Sequence, residues 1–134
     1  MINDFEKYSI KFLSSILLFV LIIFSLYILI FGKFTPGGGF QAGAILASGI
    51  IMYQILNNKN IISKFLLNIL TFTGIAIYIF TGIASFALGG GIFEYQVFHP
   101  IYGHIIGSMS IETGVFFVVT TSMIRISNII SGDI

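Results

Sequence analysis

The chain has 134 residues, of which 57% are hydrophobic and only 8% charged, with a formal net charge of +1 and no cysteine. An ordinary soluble domain is about a quarter charged, so this composition places the chain in a membrane. Near-neutral charge without a basic cluster gives nucleic acid no electrostatic reason to bind, and the lack of cysteine excludes disulfides, thiol chemistry and cysteine-ligated iron–sulfur clusters.

Residues 1–11 carry Asp4, Glu6, Lys7 and Lys11, with Phe5, Tyr8 and Phe12 at helical spacing, and read as an interfacial lead-in to the first helix. Residues 12–31 then supply about twenty apolar or small side chains, enough to cross a hydrocarbon core of about 30 Å at 1.5 Å per residue. That run is too long for a signal peptide and no small-x-small cleavage site follows it, so the helix is expected to stay attached.

Residues 34–43 read Phe-Thr-Pro-Gly-Gly-Gly-Phe-Gln-Ala-Gly. Pro36 fixes its own φ and pushes Thr35 towards an extended backbone, while Gly37, Gly38 and Gly39 can take positive φ, so a sharp reversal is expected. Two readings stand. The stretch is a tight turn between two membrane helices, or its free N–H groups line a concavity that accepts a polar or anionic group at the start of the second helix. A phosphate-binding loop is a poor fit, because the glycines lack the Gly-Lys-Ser/Thr ending.

The second span, residues 40–56, is short, and the turn before it is expected to dip into the membrane, which requires protein or water around it. Gly39, Gly43 and Ala47 recur every four residues beside Ala44 and Ser48, a small-xxx-small row that lets helices approach closely. A hydrophilic loop with Asn57, Asn58, Lys59, Asn60, Ser63 and Lys64 leads to the third span, residues 65–88. Its Thr71, Thr73, Thr81 and Ser85 hydroxyls are expected to bond carbonyls of the preceding turn. Gly89, Gly90 and Gly91 end that helix, and an aromatic-rich loop with Glu94, Tyr95, Gln96 and His99 precedes the fourth span, residues 102–126. The fold class is therefore an all-α integral membrane protein: four transmembrane helices with glycine-rich turns after helices 1 and 3. Lys7, Lys11, Lys59, Lys64 and Arg125 flank the termini and the middle loop, whereas only Lys33 lies in the other two, so both termini are expected in the cytoplasm.

Glu112 is the residue that physics singles out. It lies about 13 Å from Gly103 and about 20 Å from Arg125 along the fourth helix, beyond easy reach of either interface. A charge at that depth costs on the order of 3 kcal/mol or more, so the carboxyl must face protein or water. It either belongs to an ion path, with Ser108 one turn away, or is a hydrogen-bonded structural glutamate. Gly103, Gly107, Gly114 and Thr121 form a separate stripe of the same helix, as if it were wedged between its own bundle and a partner subunit. His99 and His104 read as interfacial histidines and no metal is expected. Lys33 and Glu94 either pair or stay solvated, and Gln41 either caps backbone or contacts a neighbour. No nucleophile, base and orienter set is visible, so neither enzymatic activity nor a cofactor is expected.

The run Pro36, Gly37, Gly38, Gly39, Phe40, Gln41, Ala42, Gly43 resembles the signature of the MnhB family, the B subunit of the multi-subunit Mrp/Mnh-type sodium/proton antiporter. Ile111-Glu112-Thr113-Gly114-Val115 is similar to the family's acidic-residue-then-Gly-Val pattern. Gly32-Lys33 departs from it, since the family commonly has Gly-His there. The resemblance implies one MnhB-like domain over residues 1–134, multi-pass in the cell membrane, assembled with other antiporter membrane subunits. Na+ and H+ are then the transported ions, with the chain contributing to assembly and to an ion path. Relatives occur in membrane-bound hydrogenases, so the homologous subunit of such a respiratory complex is the alternative, and a purely structural membrane subunit is a second.

Overall fold

The computed structural model describes residues 4–32, 34 and 36–132. Four α-helices follow one another: α1 (Asp4–Phe31), α2 (Gly39–Asn57), α3 (Lys64–Ala87) and α4 (Gly103–Ile130), with one 3-10 turn, Tyr95–Val97, before α4. All four are long and apolar enough to cross a membrane, and no strand is present among the described residues. From Asp4 onward the segment expected as an interfacial lead-in is helical and forms the opening turns of α1. Expectations for residues 1–3, Lys33 and Thr35 lie outside the described residues.

The helices form an open row in the order α1, α2, α4, α3. On α1 the less exposed positions include Lys11, Ser14, Leu18, Leu21, Ser25 and Ile28, alternating three and four residues apart, with Ile22 and Leu29 beside them. That spacing keeps one seam against a neighbouring helix and leaves the remaining faces of α1 exposed. Across the seam, Leu18 and Leu21 close over Gly49, Ile28 packs with Ala42, and Asn57 Nδ2 donates to Ser14 Oγ at 3.1 Å.

α2 and α4 run parallel, and their contacts advance in step. Gly39 meets Glu112, Gly43 meets Phe116 and Thr120, and Ala47 joins Ile50, Leu67 and Ile124 in a buried cluster. A Cβ on Gly43 would lie 2.8 Å from the Phe116 carbonyl, so the small residues are needed for this approach. On the other side of α4, Gly74 and Gly114 face each other: a Cβ on either would meet the other's carbonyl oxygen, at 2.7 and 2.8 Å. Thr71 Oγ1 lies 2.8 Å from Thr121 Oγ1, and Arg125 donates to Asn68 Oδ1. Thr71, Thr73 and Thr81 also bond the carbonyls of Leu67, Ile69 and Ile77 one turn back. With α1 and α3 at opposite ends of the row, the helices do not close around a lumen.

The two glycine triplets serve different purposes. In the second, Gly89 is left-handed with φ 87°, and Gly89 N–H bonds Phe86 O while Gly90 N–H bonds Ser85 O, a cap that only glycine enters cheaply. In the first, the expected positive φ is not found: Gly38 is extended at φ 165°, and among the described glycines only Gly89 and Gly132 are left-handed. Close approach to the main chain of α4 is what excludes a side chain at Gly39.

The loop after α3 folds back onto the bundle. Ser85 Oγ accepts from Phe93 N–H at 2.9 Å and lies 3.0 Å from Gly91 O, which sets the Phe93 ring against Gly82. The Tyr95 ring covers Gly107, and its main-chain carbonyl abuts Gly103. Burial, with Tyr78 nearby, pushes the Tyr95 phenol above its ordinary value, so the neutral ring packs there at physiological pH. The stripe Gly103, Gly107, Gly114 is therefore filled by this chain's own loop and by α3.

Candidate functional site

The site is built where α2 begins. Gly38 is the N-cap and supplies no side-chain bond, and the first helical bond runs from Ala42 N–H to Gly38 O at 3.0 Å. The N–H groups of Gly39, Phe40 and Gln41 thus have no acceptor within the helix, and they carry the positive end of its dipole. Against this end lies Glu112. A Cβ on Gly38 would stand 4.0 Å from both Cδ and Oε2 of Glu112, and one on Gly39 would overlap the Glu112 main-chain carbonyl.

Ser108 Oγ donates to Glu112 Oε1 at 3.3 Å. Glu112 Oε2 is buried and has no hydrogen-bond partner among the described residues. An oxygen in that condition calls for a hydrogen-bond donor or a small cation, and the α2 dipole favours negative charge beside it. The carboxyl is held in place by the contact between Gly39 and its own main chain, which does not depend on its charge.

Glu112 lies nine residues into α4, so α2 starts about 13 Å below the first residue of α4. Gly37 is packed by Ile28 Cγ2, and a Cβ there would lie 3.5 Å from Gln41 Oε1, so the exposed Gln41 folds back over the turn. Pro36 and Phe40 are exposed on its outer side.

The sequence-derived candidates thus separate into two groups. Glu112, Ser108, Gly37, Gly38, Gly39 and Gln41 come together; Gly43 and Ala47 continue the same α2–α4 contact towards the other end. Gly103, Gly107 and Gly114 lie on the opposite side of α4. His99 Nδ1 accepts from the N–H groups of Ile101 and Tyr102 at 3.2 and 3.3 Å, and His104 sits edge-on to Tyr95 at 5.9 Å. Glu94 Oε2 accepts from Gly91 N–H at 2.6 Å, so it braces its own loop.

Three features have no counterpart in the sequence reading: the Ser85 hub, the seating of Tyr95 on Gly107, and two buried polar side chains, Ser25 and Gln54, without partners among the described residues. Gln54 carried a readable signal as the one amide among residues 42–56. The Ser85 hub and the seating of Tyr95 depend on a loop's path.

A family model described as a domain related to the MnhB subunit of the Na+/H+ antiporter matches residues 9–125. The chain belongs to the MnhB family. It is 28% identical over 102 residues to the B subunit of the Na(+)/H(+) antiporter of Bacillus subtilis (strain 168), covering 74% of this chain and 71% of that protein. No solved structure matches the chain. Both halves of the site, the glycine turn and Glu112, fall inside the MnhB region.

Proposed function

We propose that this MnhB-family chain is a membrane subunit of a multi-subunit Na+/H+ antiporter, in which the Glu112 carboxyl exchanges a proton or Na+ within the complex. The observation that carries the second part is the buried, unpartnered Glu112 Oε2 beside the α2 N-terminus, with Ser108 holding the other oxygen. A proton cancels the charge on that oxygen and a small cation coordinates it, while Ser108 holds the other oxygen in place. The chain works as a transporter subunit rather than an enzyme, and it works with partners. An open row of four helices encloses no path, and irregular backbone below the start of α4 persists in a membrane only against protein or water. The exposed Pro36, Phe40 and Gln41 are where a neighbouring subunit completes the site.

Orientation follows from charge. Lys59, Lys64 and Arg125 cluster at the end opposite the site, and five of the six basic residues lie at the termini or middle loop, which supports a reading with both termini in the cytoplasm and the site towards the outside. Affinity purification of the tagged chain from native membranes tests the assignment. Recovery of antiporter subunits, with loss of Na+/H+ exchange on deletion of the chain, is the expected result. Recovery of hydrogenase subunits would replace it with the respiratory alternative, and a homo-oligomer alone would leave a structural protein.

A further inference from the structure

At the end of the row opposite Glu112, two cavities adjoin, with Asn60 and Asn128 bordering both. The first, about 550 Å³, lies at the start of the 24-residue helix α3 and is bordered by Lys64, Arg125 and Ser63 over an apolar floor that includes Ile61, Leu67 and Ile129. The second, about 280 Å³, is bordered by Lys59, Asn58, Ser127 and Gln54. No carboxylate among the described residues borders either one. Gln54 is 6% exposed, yet neither its Oε1 nor its Nε2 has a partner among the described residues.

A buried amide with both ends unused is costly unless something polar enters beside it. The occupant must also answer Lys64, Lys59 and Arg125, of which Arg125 spends one donor on Asn68 and keeps others. It must tolerate an apolar floor, and it must lie where the helices leave the membrane. We propose that the joined cavities bind the headgroup of an anionic glycerophospholipid. Its phosphate sits between Lys64 and Arg125 at the opening turn of α3, and its hydroxyl-bearing end reaches Gln54. The lipid would staple α3 to α4 at the end away from Glu112, independently of any role of that carboxyl.

The test uses the assembled complex, purified in mild detergent, delipidated, and titrated with phosphatidylglycerol, phosphatidic acid, phosphatidylcholine or inorganic phosphate, with lipid retained on this subunit counted by native mass spectrometry. Wild type is expected to hold phosphatidylglycerol roughly tenfold more tightly than phosphatidylcholine. Lys64→Gln with Arg125→Gln removes that preference, whereas Lys7→Gln with Lys11→Gln, an equal charge loss on α1, keeps it. Gln54→Leu retains binding but loses the distinction between phosphatidylglycerol and phosphatidic acid. If the double variant does not assemble, Lys64→Gln alone is read, with a severalfold weakening expected. Equal retention of the two lipids by wild type, or unchanged preference in the Lys64 variants, would overturn the proposal. Displacement of the lipid by low-millimolar inorganic phosphate would overturn it in favour of a free-anion site.

Discussion

Gly39 rests on the main-chain carbonyl of Glu112, so closely that a methyl group there would overlap it. One backbone contact therefore sets both the start of α2 and the position of the carboxyl. Gly39→Ala must push the helices apart and is expected to cost about 1–3 kcal/mol, read as a lower melting midpoint and poorer assembly. Gly38→Ala places its Cβ at ordinary contact, 4.0 Å from the Glu112 carboxyl. It should fold normally and change exchange. Equal stability of the two variants would contradict the close approach.

Tyr95 and Gly107 form the second tight contact. Gly107→Ala collides with the ring and Tyr95→Ala empties the groove, so each alone destabilises. The double variant should cost less than the two added together, with a coupling of about 0.5–3 kcal/mol. Additive effects in thermal unfolding of the purified complex would mean that the loop does not lie on α4.

Much of this fold is legible in the sequence because lipid imposes a simple rule: long apolar runs become helices, and the runs at 12–31, 40–56, 65–88 and 102–126 all do. The small-residue row of Gly39, Gly43 and Ala47 is readable for the same reason, since close backbones need small side chains. What covers each row is not readable. Gly107 signals a groove, but its occupant, Tyr95, is set by how Ser85, Gly89 and Gly91 fold the loop, a path with no periodicity to reveal it. Glu112 is visible by its depth alone, whereas its meeting with the glycine turn depends on α2 and α4 running side by side.

Ser25 is fully buried in the α1 seam, and its hydroxyl has no partner among the described residues. Ser25→Ala removes an unsatisfied polar group and opens almost no space. It is expected to be neutral or to stabilise by up to about 1 kcal/mol, measured as the melting midpoint of the purified complex. A loss above about 1 kcal/mol would show that the hydroxyl has a partner in the assembly.

Asn58 and Ile92 are both exposed, in the loops after α2 and α3. Cysteines introduced singly at these positions should react with a membrane-impermeant reagent from opposite sides, Asn58→Cys from the cytoplasm and Ile92→Cys from outside. Labelling of both from one side would contradict four spans.

Glu112 decides whether this subunit takes part in transport. Glu112→Gln keeps the size and the Ser108 hydrogen bond but cannot titrate, Glu112→Asp titrates with a shorter reach, and Glu112→Ala does neither. The measurement is Na+/H+ exchange in everted vesicles across pH, normalised to assembled complex. The Gln variant is expected to assemble normally and lose at least roughly tenfold in exchange, with Asp partly active and displaced in pH profile. Unchanged exchange in the Gln variant at every pH, with only Ala losing the complex, would show that Glu112 holds the structure and moves no ion.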